Sequence, residues 1–173
     1  VYADVIQRLE EQGVPHHSLV VGDGPARADL EERLPNTTFT GFLEGTELSR
    51  AYASSDVFLF PSDTETFGNV TLEAMASAVP TVCADAGGAR DLVKDGTTGY
   101  LCPPGDVDAF TEATRTLLVD ADLRSRMRAA AHKGAQDLKW SNVLGRMEDY
   151  YDEVLGRTAA RTPQSFPSAG VPA

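Results

Sequence analysis

Two carboxylates, Glu65 and Glu73, bracket the seven residues Thr66-Phe67-Gly68-Asn69-Val70-Thr71-Leu72. Such a pair can act as general acid and base, or it can accept hydrogen bonds from a ligand's hydroxyls. The flanking residues favour the second use. Residues 56–61, Asp-Val-Phe-Leu-Phe-Pro, read as a buried strand, and residues 69–77 read as a helix. Glu65 then sits in a loop and Glu73 about one turn into the helix. The first amides of that helix, Phe67 to Val70, lack intrahelical partners and can meet a diphosphate, aided by the helix dipole by about 0.3–2 kcal/mol. Glu73 can accept two hydrogen bonds from a vicinal diol such as a ribose, each contributing roughly 1.5–3 kcal/mol where water is excluded. Glu65 lies ahead of the helix and can reach a sugar carried on the far phosphate. The plainer alternatives stay open: Glu65 as a solvated loop acid or a stabiliser of the dipole, and Asn69 as an ordinary N-cap.

The elements that must hold this pair alternate regularly. Apolar runs near residues 18–22, 37–40, 57–60, 79–84 and 98–102 read as strands. Helical spacing marks residues 5–13, 27–34, 46–54, 69–77 and a short turn at 89–93. Thr46 is a fair N-cap, and Asp106 or Asp108 caps a helix carrying Phe110, Ala113, Leu117 and Leu118 on one face. Further helices are expected from Leu123 to about Leu138 and, capped by Ser141, on to Leu155, with Trp140 as a packing anchor. Uniformly apolar strands between helices predict one parallel sheet covered on both faces, a doubly wound, Rossmann-like α/β domain. Residues 1–156 form the domain, and residues 157–173, rich in proline and small residues, are expected to be a disordered tail. In such a sheet ligands sit beyond the carboxyl ends of the strands. The loops there are Gly22-Asp23-Gly24, 41–45, 61–68 and 84–88. Glycines in them let backbone approach a ligand closely. Asp23 is either a turn former or a cleft residue.

With 173 residues and 42% hydrophobic content the chain can bury a single core. A net charge of −11 argues against broad contact with nucleic acid or anionic lipid. Cys83 and Cys102 lie in no C-x-x-C, and no His/Cys cluster has metal spacing, so two reduced thiols and no metal are expected. His16, His17 and His132 lack partner motifs and read as solvated. No apolar run is long enough to span a membrane. The chain starts with Val1 inside a helical pattern, which reads as part of a longer protein.

Residues 56–76 closely resemble the Glu-x7-Glu signature of the family-4 retaining glycosyltransferases, which have the GT-B fold. Further blocks agree in order and spacing: Val20-Val21-Gly22-Asp23-Gly24-Pro25, Phe39-Thr40-Gly41-Phe42, Leu48 with Tyr52 to Asp56, Gly87-Gly88, Asp95 to Leu101, and Pro103 to Asp106. The resemblance covers nearly everything before the tail. It implies that Glu65 contacts donor-sugar hydroxyls near the reacting centre and that Glu73 holds the nucleotide ribose. It places the backbone of Phe67, Gly68, Asn69 and Val70 at the diphosphate or sugar, Gly41 and Phe42 beside the base, and Gly22 and Asp23 along the cleft. It implies retention of anomeric configuration, no metal cofactor, and a nucleotide diphosphate sugar as donor, with a slight lean to GDP-mannose over UDP-hexoses.

The family also has an N-terminal acceptor-binding domain and a strand opening the C-terminal half, with an Arg and a Lys that clamp the diphosphate. None of these precedes Val1. Arg27, Arg50 and Arg90 are the nearest cations and match no clamp; for Arg90 a surface ion pair is the favoured role. No turnover is expected from this chain alone. Expected partners are the nucleotide sugar and an N-terminal domain. The expected location is the cytoplasm, with peripheral attachment to the cytoplasmic membrane face through that domain as a variant. Competing readings are a non-catalytic nucleotide-sugar-binding module and a receiver-like domain. The second lacks its clustered acids at the first strand and its lysine at the last.

Overall fold

The computed structural model describes residues 1–156; the expected tail lies outside the described residues. Thirteen elements follow one another along these residues: α1 (Tyr2–Glu11), β1 (Leu19–Val21), α2 (Arg27–Arg33), β2 (Thr38–Gly41), α3 (Gly45–Ala53), β3 (Phe58–Phe60), α4 (Asn69–Ala76), β4 (Thr81–Ala84), α5 (Ala89–Leu92), β5 (Gly99–Cys102), α6 (Val107–Val119), α7 (Ala121–Asp137) and α8 (Trp140–Val154). They fall into two compact units, one ending at Asp137 and one beginning at Leu138.

All strand pairings in the first unit are parallel. The reason for the two-faced layering is visible in β4, which is buried along its whole length. Successive strand residues point to opposite faces. Val82 and Ala84 join a cluster with Val5 and Leu9 of α1 and Phe110 and Leu117 of α6, whereas Cys83 joins Met75 of α4 and Ala131 and Ala135 of α7. Helices therefore cover both faces, as the uniformly apolar strands predict. Burial pushes the thiol of Cys83 up to about 11 and that of Cys102 up to about 12, so both are held as unreactive thiols.

The single five-stranded sheet does not form. The strands divide into a pair, β1-β2, and a trio in the order β3-β4-β5, with no hydrogen-bonded ladder between β1 and β3. A cavity of about 890 Å³ separates them. Apolar patterning marks strands but carries no information about which strand lies beside which.

Helix starts also differ from expectation. Asp106 does cap α6, accepting from the Ala109 amide at 3.0 Å. Thr46 caps nothing, because α3 begins one residue earlier behind Glu44. Asn69 is the first residue of α4, and its N-cap is Gly68 in the left-handed region at φ 88°. In the second unit α8 begins at Trp140 behind Lys139, so Ser141 is inside the helix rather than capping it, and Trp140 is exposed rather than an anchor. The histidines are not simply solvated. His16 bonds the Val14 carbonyl at 2.8 Å, His17 bonds Thr38 Oγ1 at 2.9 Å, and His132 bonds the Ala76 carbonyl at 2.8 Å.

Candidate functional site

The carboxyl ends of β1, β2 and β3 meet at one rim, and the site is assembled there. The loops after β1 and β2 are tied together: the Gly22 amide donates to the Gly41 carbonyl at 2.7 Å. Gly22, Phe42, Pro61, Val70 and Glu73 all line the cavity where it reaches this rim. Phe42 is 75% exposed and Phe67 60% exposed, so two aromatic rings stand in solvent beside a polar rim. Rings in that position lose water readily to a flat base or a sugar face. Asp23 resolves toward the turn-forming reading. Its Oδ1 accepts from the Gly24 amide at 2.8 Å, and its other oxygen lies 3.9 Å from Arg27.

Glu65 lies in the loop between β3 and α4, and its side chain folds back on the helix start. Its Oε1 accepts from the Gly68 amide at 3.1 Å. The carboxylate thus occupies one of the amides that the sequence left free for a ligand, which is the dipole-stabilising alternative made concrete. Its second oxygen remains for a hydroxyl donor. Glu73, one turn on, is exposed at its carboxylate and receives the Tyr52 hydroxyl from α3. Tyr52 is half-buried, packed edge-on to Phe58 with ring centroids 5.8 Å apart. Burial first, then the charge of Glu73 and the bond to it, raise the Tyr52 pKa well above the usual phenol, so Tyr52 stays a donor. The Glu73 carboxylate beside it stays exposed and can accept from a diol.

The loop carrying Glu65 is clamped from behind by Gly87-Gly88. The Gly88 amide donates to the Glu65 carbonyl at 3.1 Å. A Cβ on Gly87 would stand 1.9 Å from that carbonyl oxygen, and one on Gly88 would stand 2.1 Å from the carbonyl of Phe67. Gly87 also has φ 50°, which side-chain-bearing residues rarely adopt. The sequence marked this pair for close approach to a ligand; the close approach is to the acid loop itself.

The nearby cations are not a phosphate clamp. Arg90 donates to the Asp85 carboxylate at 2.7 Å and to its carbonyl at 2.6 Å, as the ion-pair reading expects. Arg27 is paired with Glu31 at 2.8 Å. Tyr52 is a site residue whose contact the sequence did not reveal. Its helical spacing turned it inward, but only the packing of α3 beside α4 brings it to Glu73. Among the described residues no group of three or more His, Cys, Asp or Glu side chains could hold a metal ion, and no helix is long and apolar enough to cross a membrane.

Comparison with known proteins gives the family and the fold. The family described as glycosyl transferases group 1 matches residues 1–120. The sulfoquinovosyl transferase SQD2 of Arabidopsis thaliana is 46% identical over 125 residues, covering 69% of this chain and 24% of that protein. A GDP-mannose-dependent alpha-mannosyltransferase of Mycolicibacterium smegmatis is 42% identical over 146 residues, covering 83% of this chain and 38% of that protein. The chain therefore spans between about a quarter and two-fifths of the length of these curated relatives. The solved C-terminal domain of a glycosyl transferase group 1 family protein from Francisella tularensis superposes with a TM-score of 0.71 at 21% identity, covering 79% of this chain and 76% of that one. The fold is the Rossmann-like C-terminal half of a GT-B protein, and the chain belongs to the group 1 glycosyl transferases.

Proposed function

We propose that the whole protein transfers a hexose from a nucleotide diphosphate sugar to an acceptor hydroxyl, with retention, and that this chain is its donor-binding half. The observation that carries the reading is the convergence of the α4 N-terminus, Glu65 and the exposed Glu73 at one rim. Amides at a helix start suit the diphosphate, and an exposed carboxylate one turn deeper suits the ribose diol. Glu65, held on the Gly68 amide, serves as a hydrogen-bond acceptor for the sugar rather than as a free nucleophile. In this scheme the acceptor oxygen bonds to the anomeric carbon as the bond to the diphosphate breaks. The leaving phosphate oxygen takes the acceptor's proton on the same face of the sugar. No carboxylate nucleophile is needed, unlike the paired acids that flank the bond in glycosidases. By family resemblance no metal is required. In this reading Phe42 and Gly41 flank the base and Gly22 lies along the neighbouring wall, with Asp23 shaping the turn behind it.

The donor assignment leans to GDP-mannose, supported by the mannosyltransferase relative. It is tested by assaying the full-length enzyme against a panel of nucleotide sugars. GDP-mannose is expected to give a kcat/KM at least about 100-fold above UDP-glucose and UDP-sulfoquinovose, a difference of roughly 2.7 kcal/mol in transition-state binding. A preference for either UDP donor would reassign the donor. A location in the cytoplasm, with attachment to the membrane face through an N-terminal domain, remains part of the proposal.

A further inference from the structure

Arg90 is exposed, as surface cations usually are, yet both of its bonds go to one residue. Its Nε donates to the Asp85 carboxylate at 2.7 Å, and a terminal nitrogen donates to the Asp85 carbonyl at 2.6 Å. The Asp85 amide in turn donates to the Cys102 carbonyl at 2.7 Å, at the end of the β4-β5 ladder. Asp85 is therefore held from the sheet through its amide and from α5 through its carbonyl and carboxylate. Between the two partners lie Ala86, Gly87, Gly88 and Ala89. The span is tight. The Ala86 amide closes on the Ala84 carbonyl at 2.8 Å, Gly87 turns the chain at φ 50°, and Ala89 opens α5. This closed loop bears on successive residues of the acid loop. The Gly88 amide holds the Glu65 carbonyl, and neither Gly87 nor Gly88 has room for a Cβ against the carbonyls of Glu65 and Phe67. Leu92 of α5 lies 2.8 Å from where a Cβ on Gly68 would stand. Other exposed pairs have no such reach: Arg115 meets Glu112 at 3.5 Å within α6 itself.

We propose that Arg90 is a positioning residue for Glu65. By closing residues 85–90 into a ring it presses Gly87-Gly88 against the acid loop, and so sets where the Glu65 carboxylate stands relative to the first amides of α4. A guanidinium offers its donors in a rigid fork, so two bonds to one residue fix orientation as well as distance. An exposed ion pair contributes little to overall stability. Its effect here is local: a segment fixed at both ends and bonded across its middle has few conformations left. Arg90 itself is not placed on the substrate. The effect on rate rests on the proposed transferase function; the effect on the loop does not.

Hydrogen exchange on the ligand-free full-length protein reads the loop directly. In Arg90→Ala the Gly88 amide, which bonds the Glu65 carbonyl, and the Gly68 amide, which bonds its carboxylate, are expected to exchange about 10-fold faster than in wild type. The Val82 amide within β4 should be unchanged. Arg90→Lys can keep one of the two bonds and should fall between. Transfer assays read the consequence. Arg90→Ala is expected to lower kcat about 10-fold, to leave nucleoside diphosphate affinity within about threefold, and to lower the melting temperature by less than about 4 °C. Asp85→Ala keeps the backbone acceptor and should cost less, and the double variant should cost no more than Arg90→Ala, as two ends of one contact. Arg115→Ala, which removes the pair within α6, should leave kcat and both glycine amides as in wild type. Unchanged Gly88 and Gly68 exchange in Arg90→Ala would overturn the proposal, and so would an unchanged kcat. Equal loss of protection at Gly88 and Val82 would also overturn it, because that marks a general structural role. A wild-type protein that transfers no sugar would sink the proposed function, while the exchange result still decides whether Arg90 holds the loop.

Discussion

Replacing Glu65 with alanine in the full-length enzyme is expected to lower kcat for sugar transfer on the order of 100-fold while changing nucleoside diphosphate affinity less than about threefold. The size follows from losing one charge-assisted hydrogen bond to the sugar, roughly 1.5–3 kcal/mol in a water-excluded site. The selectivity follows from position. Glu65 lies in the loop ahead of α4 and holds the Gly68 amide, whereas Glu73 lies within the helix. Glutamine at position 65 keeps an acceptor for Gly68 and should recover part of the loss, whereas a general base would not be rescued by an amide. Initial rates at saturating donor, with calorimetry for the nucleotide, separate the two effects. Equal losses in rate and nucleotide affinity for Glu65→Ala would remove its assignment to the sugar.

Gly88→Ala is expected to be as damaging, although Gly88 touches no ligand in this account. The new methyl group would meet the backbone carbonyl of Phe67 at 2.1 Å, so the acid loop or α5 must move. Forcing atoms into a packed site costs typically 1–3 kcal/mol in stability. Beyond that cost, displacement of the loop shifts Glu65 and the first amides of α4 together. Misplacement of about 1 Å at a reacting centre can cost on the order of 100-fold in rate. A thermal melt combined with kcat/KM checks both parts. A variant folded at the assay temperature with unchanged kcat/KM would show that the glycine pair is not what sets the loop.

The alternation of strands and helices was legible because β1, β3 and β4 are runs of apolar residues closed by turn residues, and the helices between them show their own period. Gly68, between two acids after an apolar run, pointed correctly to the helix start. The division of the sheet was not legible, since Leu19–Val21 and Phe58–Phe60 have the composition of central strands whether or not a neighbour lies between them. The capping bond of Glu65 was one of two readings open from its position, and only the fold of the loop decided it. Tyr52 illustrates a different limit. Its inward face followed from spacing, but its partner lies 21 positions away on another helix, beyond any local pattern. Gly87-Gly88 was marked for a close backbone approach, and what it approaches is a second loop. Thr46 and Ser141 failed as caps because the neighbouring residues had already taken up helical geometry before them.

The central claim is that this rim grips a ribonucleotide through Glu73, and titration of the full-length protein with GDP and UDP tests it most directly. Wild-type protein is expected to bind at least one of the two, and Glu73→Ala is expected to weaken that binding on the order of 100-fold. The corresponding 2′,3′-dideoxynucleotide should bind both proteins equally weakly, because the lost hydroxyls are the ones Glu73 accepts from. Equal affinity of wild type and Glu73→Ala for the ribonucleotide would contradict the account.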